Sequence, residues 1–422
     1  MGHVGFGSYR VSIKSKVHRE SLVKALEAGC TLIDTSSNYT NGESEELIGS
    51  VLSENPQYKP IIVTKAGYIQ GHALRVLKEL NDKGQALEDL VDLSEELKHS
   101  IHPEFLKCQL DQSLERLKRD SVDYFLLHNP EYYFQAAGST QDEYYSRLKK
   151  AFIYCEEEVK KGRIKAYGVS SNNFVLPLND PQVTDLSRIF SVLKEMNGTN
   201  FKMVQFPFNL IEIGALEKLG DYGDESLLEL CMANGLTTVV NRPLNAFTQN
   251  KLVRLATYEE QTKNLDDKKA QELFDHAMGL VKAKWDDAAD ENTTADDFHE
   301  VEMIKQFTEL WNNLPTPDAV DQVYYGHFFP FIARVWGGQG LSAEQAQPFY
   351  QLMETSYLYS RRNLSNKALE FKKQAMSVGL LPDDGERPFS VMAVETYLDY
   401  GFDYILVGMR KPEYVDQMKA LF

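Results

Sequence analysis

Eight short apolar segments, separated for the most part by helical patterns, limit the folds open to this chain more than any other feature. Several of them are rich in β-branched residues, as expected of strands that are buried on both faces of a parallel sheet. The predicted strands are residues 3–6, 31–33, 61–64, 123–127, 166–169, 203–205, 238–240 and 404–407. Eight strands that alternate with helices predict an α/β fold, specifically a closed (β/α)8 TIM barrel.

The helical patterns between these strands are regular. HRESLVKALEAG at residues 18–29 carries its leucines and alanines on one face and stops at a glycine, which is a common residue just past a helix end. Residues 102–120 repeat leucine at helical spacing, and residues 142–162 end at Gly162. An open, doubly wound sheet is the alternative fold. The segment GFG at residues 5–7 is not the GxGxxG turn expected there, so the closed barrel is favoured.

One long region interrupts the alternation. Residues 258–387 are polar, helical in pattern and poor in strands, which predicts a large, mostly helical insertion before the last strand. The predicted domains are therefore a barrel at 1–257, the insertion at 258–387 and a C-terminal barrel segment at 388–422. The acidic patch WDDAADENTTADD lacks the ligand spacing of a calcium loop, so it predicts a solvated loop. The aromatic segment VYYGHFFPFIARVWGG predicts the core of the insertion itself.

Charge and composition exclude several classes of partner. The formal net charge of −17 argues against nucleic acid or an anionic membrane, because both require clustered lysine and arginine. No apolar run approaches the roughly 18 residues of a membrane helix, and the N-terminus lacks a signal-peptide pattern, so we expect a cytoplasmic protein. The four cysteines lack CxxC spacing, which predicts buried free thiols and no metal site. The oligomeric state is not indicated.

Polar residues stand at the C-terminal ends of nearly all the predicted strands. In order along the chain they are Asp34, Lys65, His128, Ser170 with Ser171, Gln205, Asn241 with Arg242, and Gly408 with Arg410 and Lys411 beyond it. In a barrel these strand ends meet at one mouth, which is where barrel enzymes carry their active sites. Each residue alone has a structural explanation, such as a helix cap or a solvated loop. Together they predict one shared site.

Three of these mouth residues, together with Tyr39, suit proton transfer to an oxygen. The phenol of Tyr39, five positions after Asp34, has an ordinary pKa of about 10, and a lysine ammonium such as Lys65 favours the phenolate. A carboxylate from Asp34 would keep the lysine charged, and His128 could orient a substrate oxygen. Motifs of the GxSxG or HExxH type are absent from the sequence, so we expect a hydride to come from a cofactor.

Six segments of the chain resemble the aldo-keto reductase superfamily, in the same order and at similar spacing. They are IDTSSNYTNGESEELIG, VTKAGY, VDYFLLHNPE, YGVSSNNF, MVQFPFN and YILVGMRKPEYV. The resemblance covers residues 1 to about 250 and about 388 to 422. It implies a (β/α)8 barrel that binds NAD(P)H across its mouth without a Rossmann fold. It also implies reduction of an aldehyde or ketone, or the reverse oxidation of an alcohol or sugar.

The resemblance also implies a role for each mouth residue. Tyr39 matches the general acid/base, Lys65 and Asp34 the residues that tune it, and His128 the residue that positions the carbonyl. Ser170, Ser171 and Gln205 match the positions that hold the nicotinamide carboxamide, although many relatives have asparagine where Ser171 stands. The other positions implied on the cofactor side are Gly7, Ser8, Leu244 and Gly408.

Besides Ser171, three positions depart from the family pattern. Many relatives stack a tyrosine on the nicotinamide where this chain has Asn241, and Arg242 follows in place of serine. The arginine that often binds the 2′-phosphate of NADP aligns with Tyr414. Arg410 and Lys411 could serve instead, because a phosphate needs local positive charge and hydrogen-bond donors. They favour NADP(H) as the cofactor, with NAD(H) as the alternative.

Two other functions remain open on the sequence alone. The same barrel could bind a nicotinamide nucleotide as a regulatory or scaffold protein with little turnover. It could also be an isomerase or aldolase in which Lys65 forms a Schiff base. The sequence does not identify the small-molecule carbonyl or alcohol substrate, or the direction of the reaction.

Overall fold

The computed structural model describes residues 2–218, 225–248, 251–288, 295–337 and 340–422. Eight parallel strands close into a barrel in which spatial order follows chain order, so the predicted (β/α)8 barrel is confirmed. The barrel strands are β1 His3–Gly7, β2 Leu32–Asp34, β3 Ile61–Ala66, β4 Val122–His128, β5 Ile164–Ser170, β6 Phe201–Pro207, β7 Thr237–Asn241 and β8 Tyr404–Gly408. Every predicted strand is present, with ends that differ by at most two residues.

Fifteen α-helices lie within the described residues. They are α1 Lys16–Glu27, α2 Glu43–Glu54, α3 His72–Asp82, α4 Pro103–Leu117, α5 Gln141–Lys160, α6 Leu186–Met196, α7 Leu227–Ala233, α8 Glu259–Thr262, α9 Asp267–Ala288, α10 Ala295–Leu310, α11 Pro317–Val323, α12 Phe329–Val335, α13 Ala343–Ser377, α14 Phe389–Asp399 and α15 Pro412–Met418. Shorter 3₁₀ turns span Tyr39–Gly42, Pro130–Gln135, Asn172–Val175 and Lys419–Leu421, and Tyr324–Phe328 forms a π-helical turn. None of these helices of the described residues is long and apolar enough to span a membrane.

Helix α4 shows how the sequence pattern becomes packing. The N-terminus is fixed by Pro103, whose missing N–H costs nothing at this position, and by His102, whose side chain accepts from the Glu104 amide. The leucines that repeat at helical spacing form its buried face, namely Leu106, Leu110, Leu114 and Leu117. Burial of this face against the barrel stabilises the helix more than its intrinsic propensity does.

The barrel interior holds a layer of apolar side chains directly beneath the mouth. The layer consists of Leu32, Val63, Leu126, Met203, Val239 and Leu406. Because side chains alternate along a strand, the residue two positions further on each strand faces the same way. Those residues include Asp34, Lys65, His128, Gln205 and Asn241. The apolar layer therefore sets the register that points the polar strand ends into the mouth.

The chain divides into two compact units, one formed by Met1–Val253 with Val391–Phe422 and the other by Arg254–Ser390. The second unit has its own aromatic core, in which Phe274 stacks on Trp311 with ring centroids 4.7 Å apart. The segment VYYGHFFPFIARVWGG contributes Tyr324 and Phe328 to this core, as its composition indicated. The domain limits at 257/258 and 387/388 stay a prediction, and the acidic patch at 285–297 includes residues outside the described part.

Two features differ from the expectations. A three-stranded antiparallel sheet of Tyr68–Ile69, Val91–Asp92 and Lys98–His99 fills the connection between β3 and β4. Strands of two residues carry no periodic signal, so the pattern could not predict them. Cys108 is only half-buried, whereas the other three free cysteines are buried as expected.

We expect Gly168→Ala to lower the free energy of unfolding by about 3 kcal/mol, because overpacking against backbone cannot relax. A Cβ at this position of β5 would lie 1.8 Å from the Met203 carbonyl oxygen. Gly279→Ala is the control, because its Cβ in α9 meets nothing within 4 Å. Urea denaturation followed by circular dichroism measures both variants. A Gly168→Ala midpoint equal to that of the wild type would contradict this packing.

Candidate active site

The centre of the mouth is a buried ion pair. The Nζ of Lys65 donates to Asp34 Oδ1 at 2.6 Å, to the Thr35 carbonyl at 2.7 Å and to the Tyr39 hydroxyl at 3.4 Å. Lys65 is fully buried and Asp34 is 2% exposed. The structure therefore brings an acid, a base and a phenol into one hydrogen-bonded group, as the strand-end pattern predicted.

Burial and mutual attraction act in opposite directions on this pair. Burial raises the pKa of Asp34 and lowers that of Lys65, and the partner's charge opposes each of the two shifts. Gln205 Nε2 donates to Asp34 Oδ2 at 2.8 Å, so both carboxylate oxygens accept a hydrogen bond. Such satisfied partners offset the cost of taking both charges out of water.

Tyr39 presents its hydroxyl beside this pair. Its ring meets Tyr9 edge-on at 5.3 Å and His128 at 5.9 Å between centroids. Burial raises the pKa of Tyr39 well above its usual value, and the charge of Asp34 adds to that shift. Burial therefore outweighs the lowering of this pKa that was expected from Lys65. The phenol is protonated at neutral pH and can act as a proton donor.

A left-handed turn directly follows Tyr39. Three consecutive residues have positive φ angles of 48°, 59° and 93°, namely Thr40, Asn41 and Gly42. For a β-branched residue this conformation is strained, and it persists only where neighbours hold it. Asn41 Oδ1 accepts from the His72 amide at 2.9 Å, which ties the turn to the start of α3. The backbone next to the phenol is therefore fixed by tertiary contacts.

His128 packs edge-on against the Tyr39 ring. Its Nδ1 pairs with the Ser36 hydroxyl at 3.0 Å, which leaves Nε2 without a hydrogen bond inside the described chain. Burial lowers the pKa of His128 well below its usual value, and the nearby charge of Lys65 lowers it further. The imidazole is therefore neutral. Tyr68 packs edge-on against it at 4.8 Å, and His99 Nε2 contacts its carbonyl oxygen at 2.8 Å.

The ends of β5 and β6 connect to the same group. Ser170 donates to Gln205 Oε1 at 2.8 Å, and Gln205 in turn donates to Asp34. Ser171 faces the other way, because side chains alternate along the strand. Its hydroxyl pairs with Thr184 at 2.9 Å and accepts from the Asn173 amide at 3.1 Å. The structure does not bring Ser171 into the cluster.

The end of β7 carries polar atoms that have no partner. The Oδ1 of Asn241 is buried and, within the described residues, makes no hydrogen bond. Arg242 has a positive φ of 54° and pairs with Glu212 at 2.7 Å, and burial lowers the pKa of its guanidinium. Leu244 lies in the turn that follows and is half-buried.

The first and last strands close the mouth beside Asp34. Gly7 is in register with both Gly408 and Asp34. Ser8 is buried, donates to the Asp34 carbonyl at 2.7 Å and accepts from Ser44 at 2.7 Å, so its hydroxyl faces inward.

Arg410 and Lys411 are both exposed, just before α15. Neither is among the ion pairs of the described chain. Their charge therefore remains available to an anion in solvent.

The sequence analysis missed several residues that support the site. Ser36, Tyr68 and His99 all contact His128, and Glu131 lies three positions after it. Tyr68 could have been found, since it follows Lys65 by three residues at the same strand end. His99 could not, because its approach depends on the short antiparallel sheet.

The fold and this mouth define a class of TIM-barrel protein in which a buried acid–lysine pair stands beside a tyrosine and a histidine. The sequence model described as "Aldo/keto reductase family" matches residues 1–312. The chain therefore belongs to the aldo/keto reductase family, and the resemblance in its motifs is confirmed. Members of this family are oxidoreductases that use NAD(P)H.

The individual relatives are distant. An "NADH-specific methylglyoxal reductase" of Escherichia coli (strain K12) is 21% identical over 225 residues, covering 53% of this chain and 56% of the relative. A "D-threo-aldose 1-dehydrogenase" of Pseudomonas sp is 27% identical over 152 residues, covering 36% and 42%. The chain spans about half the length of the curated relatives it matches.

The solved structures that the chain is similar to are equally distant in sequence. A glycerol dehydrogenase from Gluconobacter oxydans has 18% identity and a TM-score of 0.47, covering 99% of this chain and 86% of that one. An aldo/keto reductase from Klebsiella pneumoniae in complex with NADP and acetate has 19% identity and a TM-score of 0.36, covering 57% and 64%.

We expect Lys65→Met to lower the free energy of unfolding by about 3–5 kcal/mol at pH 7, because Asp34 is left as an unpaired buried charge. In this variant the folded-state pKa of Asp34 lies above its unfolded value. The penalty is therefore present at high pH and is relieved as pH falls through that pKa. Urea denaturation between pH 5 and pH 8 measures the loss. In the control double variant Asp34→Asn/Lys65→Met the pH dependence should disappear, and an equal loss at every pH in Lys65→Met would contradict the pairing.

Proposed function

We propose that the protein is an NAD(P)H-dependent oxidoreductase that reduces an aldehyde or ketone, or oxidises the corresponding alcohol or sugar. The observation that carries this proposal is the Tyr39 hydroxyl, which lies 3.4 Å from the Nζ of a fully buried Lys65 that is itself paired with Asp34. A protonated phenol beside a fixed ammonium is suited to protonate a carbonyl oxygen as hydride reaches the carbon.

Each residue of this group has a separate part in the proton transfer. Tyr39 begins protonated and donates to the carbonyl oxygen, which becomes the alcohol. The resulting phenolate is stabilised by Lys65, since a negative oxygen 3.4 Å from an ammonium gains more than the neutral phenol does. Asp34 keeps that ammonium charged and in place. In alcohol oxidation the same atoms act in reverse, with the phenolate of Tyr39 as the base.

His128 orients the substrate oxygen in this proposal. Its imidazole is neutral, its Nδ1 is held by Ser36, and its Nε2 is available to the carbonyl. A neutral ring can contact that oxygen without repelling the nearby Lys65 ammonium. The Schiff-base alternative loses support, because the buried Lys65 amine is occupied by three acceptors.

The residues on the cofactor side fit a nicotinamide nucleotide. The Oδ1 of Asn241 is buried and lacks a partner inside the described chain, as expected of an atom that meets a bound group. Ser170 and Gln205 would hold the nicotinamide end, with Gly7, Ser8, Leu244 and Gly408 along its length. Arg410 and Lys411 would hold the 2′-phosphate, which favours NADP(H) over NAD(H). When bound, the cofactor supplies the hydride.

We expect Tyr39→Phe to lower kcat by at least about 100-fold and to leave the dissociation constant for NADPH unchanged, because the variant removes only the proton donor. Turnover with a panel of aldehydes, methylglyoxal included, and calorimetric titration with NADPH measure the two effects. Tyr9→Phe is the matched control, because the ring of Tyr9 contacts Tyr39 while the residue is 60% exposed. Near wild-type turnover in Tyr39→Phe would rule out this mechanism.

We expect the double variant Arg410→Ala/Lys411→Ala to weaken NADPH binding by about tenfold or more, because each lost charge-assisted contact contributes about 1.5–3 kcal/mol. NADH lacks the 2′-phosphate, so its dissociation constant should not change and serves as the internal control. Calorimetric titration at constant ionic strength measures both. Parallel losses for the two nucleotides would contradict a role in reading the phosphate.

A further inference from the structure

A second buried ion pair lies behind the Asp34–Lys65 pair, on the helix-facing side of β3. Glu45 on α2 is fully buried, and its Oε2 accepts from Arg116 Nε at 2.7 Å. Arg116 Nη2 lies 2.7 Å from the same oxygen, so two nitrogens of the guanidinium on α4 contact it. A fully buried carboxylate is stable only when it is paired and hydrogen-bonded, and Arg116 satisfies one of its two oxygens.

The other carboxylate oxygen of Glu45 contacts the strand that carries Lys65. Its Oε1 accepts from the hydroxyl of Thr64, which is fully buried and directly precedes Lys65. Because side chains alternate along a strand, Thr64 faces the helices while Lys65 faces the mouth. Glu45 therefore fixes β3 from behind, at the point where the ammonium projects into the site.

Arg116 contacts the turn that carries Tyr39. A Cβ on Gly42 would lie 2.9 Å from Arg116 Cδ and 3.0 Å from its Nε, so the backbone of the turn packs directly on this side chain. Gly42 has a φ of 93°, which glycine adopts without steric cost. Arg116 also lines a small cavity beside the same turn, together with Asn38 and Asn41. The side chain therefore supports the chain on both sides of Tyr39.

The two helices that carry the pair are in close contact. A Cβ on Gly49 of α2 would lie 2.3 Å from the Arg116 carbonyl oxygen on α4, which is closer than a side chain can approach backbone. The Arg116 side chain is only 18% exposed. Neither helix can move toward the other, and the guanidinium has little room to turn away from Glu45.

The charge of Glu45 also acts on the ammonium of Lys65. Burial lowers the pKa of Lys65, while the charges of Asp34 and Glu45 raise it. Only a charged Lys65 can stabilise the phenolate of Tyr39. Glu45 therefore supports the same proton transfer through its charge as well as through its contacts.

We propose that Glu45 and Arg116 are positioning residues that set the contact between the Tyr39 hydroxyl and Lys65 Nζ. Glu45 fixes β3 behind Lys65, and Arg116 fixes the turn that carries Tyr39. The pair joins the two elements whose side chains must meet, and it needs no contact with a substrate. This inference rests on the proposed function, because it requires that Tyr39 transfers a proton.

We expect Glu45→Gln to lower kcat by about tenfold or more, since a displacement of about 1 Å near a reacting group can cost about 100-fold. The amide keeps the size of the side chain and an acceptor for Thr64, but it loses the charge that binds Arg116. The dissociation constant for NADPH should not change, because the pair is remote from the residues proposed to hold the cofactor. Single-turnover oxidation of NADPH with the aldehyde panel, and calorimetric titration, measure the two quantities.

The decisive measurement is a double-mutant cycle with Tyr39→Phe. A residue that acts through the Tyr39 hydroxyl has nothing to position once that hydroxyl is removed. Glu45→Gln should therefore cause no further loss of the residual rate in the Tyr39→Phe background. A merely structural role would lower the rate by the same factor in both backgrounds.

A second variant and a control accompany the cycle. Arg116→Lys keeps the positive charge but cannot bind the carboxylate through two nitrogens, so it should show the same pattern with a smaller loss. It replaces Glu45→Gln in the cycle if circular dichroism shows that Glu45→Gln does not fold. Glu158→Gln is the matched control, because Glu158 is 1% exposed and pairs with Arg163 near the end of α5. It should keep the wild-type kcat.

The outcomes separate the two proposals. If the wild type reduces no aldehyde, the proposed function fails and this inference fails with it. If the wild type is active and Tyr39→Phe is not, the function stands and the cycle tests the positioning role. An unchanged kcat in Glu45→Gln, an equal loss in both backgrounds, an equal loss in Glu158→Gln or a parallel loss of NADPH affinity overturns that role. A loss of kcat that requires the Tyr39 hydroxyl, with NADPH binding unchanged, supports it.

Discussion

The pair between Lys65 and Asp34 is the interaction on which the rest of the site depends. Two charges this deeply buried are stable only if every polar atom around them is satisfied. Asp34 therefore takes a second hydrogen bond from Gln205, and Lys65 takes a second acceptor from Thr35. Those requirements draw β2, β3 and β6 to one point. The position of Tyr39 follows from the same group, since its hydroxyl is the third acceptor of the ammonium.

The apolar layer below the mouth makes this arrangement possible. Leu32 and Val63 point inward one step beneath Asp34 and Lys65, so the strand period of two fixes where the charges point. A slip of one residue would place both charges on the helix-facing side, where nothing compensates them. The register of the barrel strands therefore determines both the packing of the interior and the placement of the charged groups at the mouth. This coupling explains why the strand ends could be found from sequence.

The predictable part of the structure is the part that repeats. The eight strands follow from the spacing of apolar residues along the chain. Strand ends and family motifs indicated Asp34, Tyr39, Lys65 and His128, and the structure brings these four residues together. Features that depend on single tertiary contacts could not be predicted from the sequence pattern. The outward direction of Ser171, the approach of His99 and the protonated state of Tyr39 depend on neighbours distant in sequence. The same holds for Glu131, whose burial no local pattern indicates.

The departures from the family pattern at the β7 end have one physical explanation. Asn241 stands where the resemblance implies a tyrosine and Arg242 where it implies a serine. The guanidinium of Arg242 needs a counter-charge, and Glu212 provides it at 2.7 Å. That pair satisfies one end of the side chain only. Burial raises the pKa of Glu131 to about 7, and the charge of Arg242 works against that shift. The buried Nε of Arg242 has no hydrogen-bond partner among the described residues, so the guanidinium is compensated through Glu212 at one end only.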